Sequence, residues 1–250
     1  MKAQPKLPVF NPLAARMFET VFLPMRGLRL GGLHFLNLPE TLPPGRPVLL
    51  VGNHVSNWDG FMFREIQRRL KPKWPIYSVM LEEELRRYPF LRLMGGMGMR
   101  PGSPASVASC LRRVAALRAR TPDFFLSFFP QGRIYPSFKK PLQFHAGVDL
   151  FIRAMAPLTL LPAGLHMEPL RGLAPSFLVS LGRPMRVDKP SAIHRVLEDL
   201  VQAQTDKLHA LLCRHGEDFA EQVDPHGLRG ALQDVADRKN PWTPQTPKAP

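Results

Sequence analysis

Residues 47–60 read PVLLVGNHVSNWDG, and the reading of this stretch decides the fold. Val48 to Val51 form a short continuous apolar run between Pro47 and Gly52. A strand covered on both faces of a parallel sheet is written this way, because neither face calls for polar residues. FMFREIQRRL follows at 61–70, with Phe63, Ile66 and Leu70 at helical spacing and Arg64, Arg68 and Arg69 at the remaining positions. Asp59 falls near the start of that helix, where a carboxylate meets unpaired N–H groups. The order is strand, loop, helix, and His54 sits just past the strand's carboxyl end.

The alternation continues outward from there. WPIYSVM at 74–80 reads as a strand, EEELRRYPFLRLM at 82–94 as a proline-marked helical stretch, and GGMGMR at 95–100 as a short strand. A helix capped at Ser103 or Ser106 precedes the apolar strand DFFLSFFP at 123–130. Next come a basic, aromatic loop, a short helix in VDLFIRAMA at 148–156, and strands in TLLPAGLHM at 159–167 and SFLVSLG at 176–182. Residues 191–215 make the clearest helix, with Ile193, Val196, Leu197, Leu200, Leu208, Leu211 and Leu212 on its expected buried side. The pattern predicts an α/β fold, a mostly parallel sheet flanked by helices, behind an N-terminal amphipathic helical segment.

That segment spans residues 10–36. Leu13, Met17, Val21 and Met25 share one helical face, Arg16, Arg26 and Arg29 lie among the polar positions, and Pro24 interrupts the run. Two readings stand side by side: an interfacial helical hairpin, or a first helix packed on the core. Beyond about Asp224 the chain is rich in proline and charge, as a loose tail is.

With 34 Lys and Arg against 20 Asp and Glu, the formal charge is +14. Polyanionic partners are expected, an anionic membrane surface among them. The arginines are scattered along helices without a recognised nucleic-acid motif, so no specific nucleic-acid partner is expected. Cys110 and Cys213 lie far apart and show neither metal-ligand spacing nor a disulfide framework, which reads as reduced thiols in a cytosolic setting. The start lacks the pattern of a secretory signal, and no uninterrupted apolar run reaches the roughly 20 residues that cross a bilayer. A membrane, if met, is met from its surface.

The chemistry concentrates at His54 and Asp59. Positions five apart on one helix diverge by about 140° at 100° per residue, so the two side chains meet only with the histidine in the loop and the aspartate in the first turn. A carboxylate on one imidazole nitrogen fixes the tautomer and leaves the other nitrogen to take a proton from a hydroxyl. Ser56 lies between them without the G-x-S-x-G setting of a nucleophile elbow. His145, His166, His194, His209, His215 and His226 fall on unrelated stretches with no carboxylate companion evident, and receive no role.

GNHVSNWDG, GGMGMRPGS, FFPQGRIYPS and PLTLLPAG, in that order and over residues 45–185, resemble the four motif blocks of the glycerolipid acyltransferase family. The resemblance implies that His54 is the general base toward an acceptor hydroxyl and that Asp59 orients it. The hydroxyl then attacks the thioester of acyl-CoA or an acyl carrier protein, with no cofactor, no metal and no covalent acyl-enzyme. Substrate binding is implied for Asn53, for Arg100, and for the third-block run Phe129, Pro130, Gln131, Gly132 and Arg133. That block departs from the family's usual F-P-E-G-T-R, since Gln131 replaces the glutamate and Arg133 comes one residue early. Gln131 keeps an acceptor, adds two donors and cannot carry a carboxylate's charge.

The resulting division is a membrane-facing segment at 1–44, an acyltransferase domain at 45–223 and a proline-rich tail at 224–250. The implied partners are the acyl donor, a lipid acceptor and an anionic membrane, with the protein peripheral on the cytoplasmic face. An acyl-thioester hydrolase with the same dyad, a non-catalytic basic binding module and an inactive relative remain alternatives.

Overall fold

The computed structural model describes residues 6–17, 32–170, 174–189, 192–219 and 228–229. Its strands are β1 (Gly32–Leu36), β2 (Val48–Gly52), β3 (Ile76–Leu81), β4 (Gly96–Met99), β5 (Phe125–Phe128), β6 (Leu158–Glu168), β7 (Ser176–Leu181), β8 (Met185–Val187) and β9 (Leu228–Arg229). The longer helices are α1 (Asp59–Leu70), α2 (Glu82–Arg87), α3 (Pro104–Arg120), α4 (Val148–Met155) and α5 (His194–His215). The strands join in one sheet in the order β4, β3, β5, β2, β6, β7, β1, β9, with β8 paired to β6.

From β4 to β6 every neighbouring pair is parallel, so the carboxyl ends of these strands share one edge. β7 runs antiparallel to β6, and β1 runs parallel to β7. The expected α/β architecture, mostly parallel and flanked by helices, is therefore the one observed.

β2 shows why the apolar run was informative, since all its residues are buried. Leu49 and Val51 pack into a cluster with Val114 of α3, Phe151 of α4 and Val201 of α5. Val48 and Leu50 face the opposite cluster, with Met62, Phe63 and Ile66 of α1 and Leu33 of β1. A strand with helices above and below has no solvent face to signal by alternation.

Pro162 lies inside β6, where a missing N–H would normally break a ladder. It sits where β6 changes partners on one edge: β8 pairs with it up to Leu160 and β7 begins at Ala163. The Pro162 carbonyl accepts from Gly182 N–H at 2.8 Å on that same edge, so the absent donor falls in the gap between the two partners.

Some elements differ from expectation. Residues 32–36, read as the end of the helical segment, are β1, because GLHFL packs between β7 and β9 with all of its residues buried. Leu228 and Arg229, within the stretch read as a tail, pair with β1. The rest of 220–250 and residues 18–31, which carry Val21, Pro24, Met25, Arg26 and Arg29, lie outside the described residues. Ahead of them, the Asn11 side chain accepts from the N–H groups of Leu13 and Ala14 and starts a helix over residues 12–17. Leu13 and Met17, one turn apart, are both exposed. No helix among the described residues is long and apolar enough to cross a membrane.

Candidate active site

β2 ends at Gly52, and a β-carbon there would stand 2.7 Å from Phe63 Cζ and 2.9 Å from the Ala163 carbonyl oxygen. Only glycine lets α1 and β6 close on the strand at this point. Asn53 follows, 1% exposed, and extends the ladder with its side chain. Its Nδ2 donates to the Leu165 carbonyl at 2.9 Å and its Oδ1 accepts from Leu165 N–H at 2.7 Å. Both ends of the amide are thus engaged with β6, which makes Asn53 a brace for the loop.

The loop then turns His54 toward Asp59, the first residue of α1. His54 Nδ1 lies 2.6 Å from Asp59 Oδ2. The same oxygen accepts from the N–H groups of Val55 at 2.7 Å and Ser56 at 3.1 Å, while Oδ1 accepts from Ser56 Oγ at 2.7 Å. Asp59 is fully buried, and such a carboxylate persists only where donors replace its water. The loop backbone, the Ser56 hydroxyl and the N-terminal end of α1 supply them. Ser56 thus serves the aspartate, and its Oγ also accepts from Trp58 N–H at 3.0 Å.

With Nδ1 committed, Nε2 is the imidazole nitrogen left for substrate. The His54 ring stacks on Phe129 with centroids 4.7 Å apart and planes 19° apart, and Phe129 stacks in turn on Phe63. The histidine side chain keeps about 25% of its surface exposed. It is held on one nitrogen and one face, and remains open to solvent elsewhere.

The third block arrives from β5, whose Phe128 pairs with Val51 of β2. Gln131 is 3% exposed. Its Oε1 accepts from His54 N–H at 2.7 Å and its Nε2 donates to the Leu142 carbonyl at 3.0 Å. Pro130 is buried and its carbonyl accepts from His145 N–H at 3.1 Å. Gly132 takes φ +66, a left-handed turn that favours glycine. Arg133 is exposed just beyond it. Arg100 follows β4 on the same edge of the sheet, and its Nε lies 2.9 Å from Glu82 Oε2.

The structure thus brings together His54, Asp59, Asn53, Phe129 and Gln131. Arg100 is tied instead to an acidic residue at the start of α2. Among the described residues no group of three or more His, Cys, Asp or Glu side chains is placed to hold a metal.

Sequence reading missed two histidine and carboxylate pairs away from this site. His194 Nδ1 lies 2.7 Å from Asp149 Oδ2, and His166 Nε2 lies 3.1 Å from Glu168 Oε2. The first pair joins the starts of α4 and α5, which no spacing in the chain announces. The second places partners two apart on one face of β6, and H-M-E in a strand was a signal that could have found it.

The comparisons with known proteins bear on the same residues. No curated protein matches the chain in sequence. Among solved structures the chain is similar to the 1-acyl-sn-glycerophosphate acyltransferase PlsC from Thermotoga maritima, with 16% identity, 80% of this chain and 83% of that chain covered, and a TM-score of 0.47. The family model described as Acyltransferase matches residues 36–166, more than half of the chain, and its span holds His54, Asp59, the Gln131 brace and Leu165, which anchors Asn53. With all four motif blocks inside that match, the chain belongs to the Acyltransferase family.

Proposed function

We propose that this protein is a membrane-peripheral O-acyltransferase that moves a fatty acyl group from acyl-CoA or an acyl carrier protein to a hydroxyl of a lysophospholipid-like acceptor. The observation that carries this reading is the 2.6 Å pairing of His54 Nδ1 with a buried, fully engaged Asp59 at the carboxyl edge of the sheet. Ligands in open α/β sheets gather at that edge. His54 Nε2 takes the proton of the acceptor hydroxyl as its oxygen attacks the thioester carbonyl. The tetrahedral intermediate collapses with cleavage of the C–S bond, and the imidazolium returns its proton to the departing thiolate. Asp59 stabilises the imidazolium between the two transfers. Arg133, exposed beside the third block, is the cation in this reading that meets an acceptor phosphate. Residues 45–223 form the catalytic body on this reading, with 1–44 facing the membrane on its cytoplasmic side and 224–250 as a tail.

The test is single-turnover consumption of a labelled acyl-CoA, and separately of an acyl carrier protein thioester, with lysophospholipid in vesicles. Wild type is expected to yield an acylated lipid by mass and His54→Ala to yield none. Free fatty acid as the sole product would replace this reading with the thioester hydrolase. Arg133→Ala is expected to raise KM for a phosphate-bearing acceptor while leaving that for a phosphate-free acceptor in place.

A further inference from the structure

The loop leaving β5 sends Gln131 inward and Phe138 outward. Its backbone is pinned to the catalytic histidine, since Tyr135 N–H donates to the His54 carbonyl at 2.8 Å. Pro136 to Lys139 then close a turn, with Lys139 N–H donating to the Pro136 carbonyl at 3.0 Å and Phe138 at its tip. The return leg is tied as well: the N–H groups of Gln143 and Phe144 donate to the Glu198 carboxylate at 2.7 and 2.9 Å.

A loop fastened at so many points has a defined shape, yet while Leu142 and Phe144 of its return leg are buried it leaves two apolar side chains uncovered. Phe138 is 74% exposed, more than any other large apolar side chain among the described residues, and Ile134 is 45% exposed. Single exposed apolar residues are ordinary on protein surfaces. These two share a short loop with Arg133, Lys139 and Lys140. Lys139 Nζ stands 4.4 Å from the centre of the Tyr135 ring, and Lys140 Nζ lies 2.6 Å from Asp206 Oδ1. An apolar tip ringed by cations matches the boundary between acyl chains and anionic headgroups, where apolar groups enter and each nearby Lys or Arg adds attraction.

We propose that residues 133–140 form a membrane wedge: Phe138 and Ile134 enter the headgroup boundary of an anionic bilayer, with Arg133, Lys139 and Lys140 at the level of the lipid phosphates. The occupant is a lipid surface, argued from the sign of these charges and from the backbone tie between this loop and His54. The proposal rests on the lipid-acceptor reading and adds to it which element docks. It makes depth of insertion and placement of the base one event, because the wedge and His54 are joined through Tyr135.

The test uses the full chain with a solvent-sensitive dye on Ser137→Cys in a Cys213→Ser background, next to an intact Phe138. Cys110 is buried and its thiol is pushed up to about 11 by that burial, so it does not compete for the label. Vesicles of phosphatidylcholine and phosphatidylglycerol in equal parts are expected to shift the dye to the blue, and lipids brominated in the acyl chain are expected to quench it. Adding Phe138→Asp should weaken the vesicle partition read by this dye about tenfold, and a dye on Cys213 of the wild type should stay unchanged. A dye at 137 that remains in water while the protein sediments with vesicles overturns the proposal, because another surface then docks. A response to acyl carrier protein or monomeric acyl-CoA in place of vesicles overturns it too, in favour of a donor dock. None of these readings requires turnover, so insertion without transfer would count against the acyltransferase reading alone.

Discussion

Gln131 Oε1 accepts the backbone N–H of His54 at 2.7 Å, and the same amide donates to the Leu142 carbonyl at 3.0 Å. One neutral side chain thereby bridges the loop after β2 and the loop after β5. A glutamate, the residue more usual at this place in the block, would keep the first bond and face a carbonyl with a carboxylate oxygen at the second.

Gln131→Glu is therefore expected to lower acyl transfer and thermal stability together, although it makes the block more regular. An unmet buried group costs about 1–3 kcal/mol, and each kcal/mol is roughly 2–4 °C of Tm in a chain of this size. The defect should shrink as pH falls, because a protonated glutamic acid can again donate to Leu142. Tm and kcat/KM measured across pH for both proteins check this, and a variant more active than wild type would show that Gln131 is no brace.

His54→Ala and Asp59→Asn should fail differently. On the proposed mechanism, removing His54 takes away the base, a loss on the order of 10²- to 10⁴-fold in kcat, and should leave Tm within a few degrees. Asp59 Oδ2 accepts from three donors and Oδ1 from one. An asparagine must turn an NH₂ toward some of them, so Asp59→Asn should lose both turnover and stability. Paired kinetics and thermal melts separate the two cases.

Gly52→Ala tests the close approach at the end of β2. The added methyl meets Phe63 Cζ at 2.7 Å and a backbone oxygen of β6 at 2.9 Å. The ring can shift, but the central strand cannot. Overpacking of this kind costs about 1–3 kcal/mol, and displacement of Asn53 and His54 should lower kcat further. Urea denaturation alongside kinetics tests the expectation, and an unperturbed variant would mean that the strand end is looser than its geometry.

The histidines between β6 and α5 predict a stability profile. His209 Nε2 lies 3.2 Å from His166 Nδ1. Burial lowers the pKa of His166 against the opposing pull of Glu168, and burial followed by the charges of His166 and Lys140 lowers that of His209 against Asp206. Both folded values lie below the unfolded one, so the unfolded chain binds protons first as pH falls. Stability from these groups is complete above the usual histidine range, near 6.5, and is lost below it until the folded values are reached. The slope is at most about 1.4 kcal/mol per pH unit for each proton. Melts from pH 8 to 5 should show this fall in wild type and a flatter line in His166→Gln/His209→Gln.

What the sequence disclosed followed from period and context. β2, β3, β5 and α5 were legible because buried parallel strands and long amphipathic helices leave unmistakable runs. β1 was not, since GLHFL adjoins a segment with helical spacing and its burial depends on β7, more than a hundred residues away. The contact between His54 and Asp59 was legible because both residues sit on one strand, loop and helix unit. The engagement of Asn53 with Leu165 was hidden, because side-chain pairing to a distant backbone has no local signature. The block position implies substrate binding for Arg100, and its ion pair with Glu82, across the parallel crossover from β3 to β4, had no local signature in the sequence.

The order of the sheet also bears on how the chain is made. His54 and Asp59 leave the ribosome before β5 and β6, and their own hydrogen bonds are local. The neighbours that flank β2, however, are β5 and β6, and Leu165 lies 112 residues after the asparagine it holds. Until those strands emerge, the most apolar strand of the sheet has both edges open, a state prone to wrong association. During each round of synthesis β2 thus passes through an interval in which its backbone is unpaired on both sides, and that interval ends only when β6 arrives.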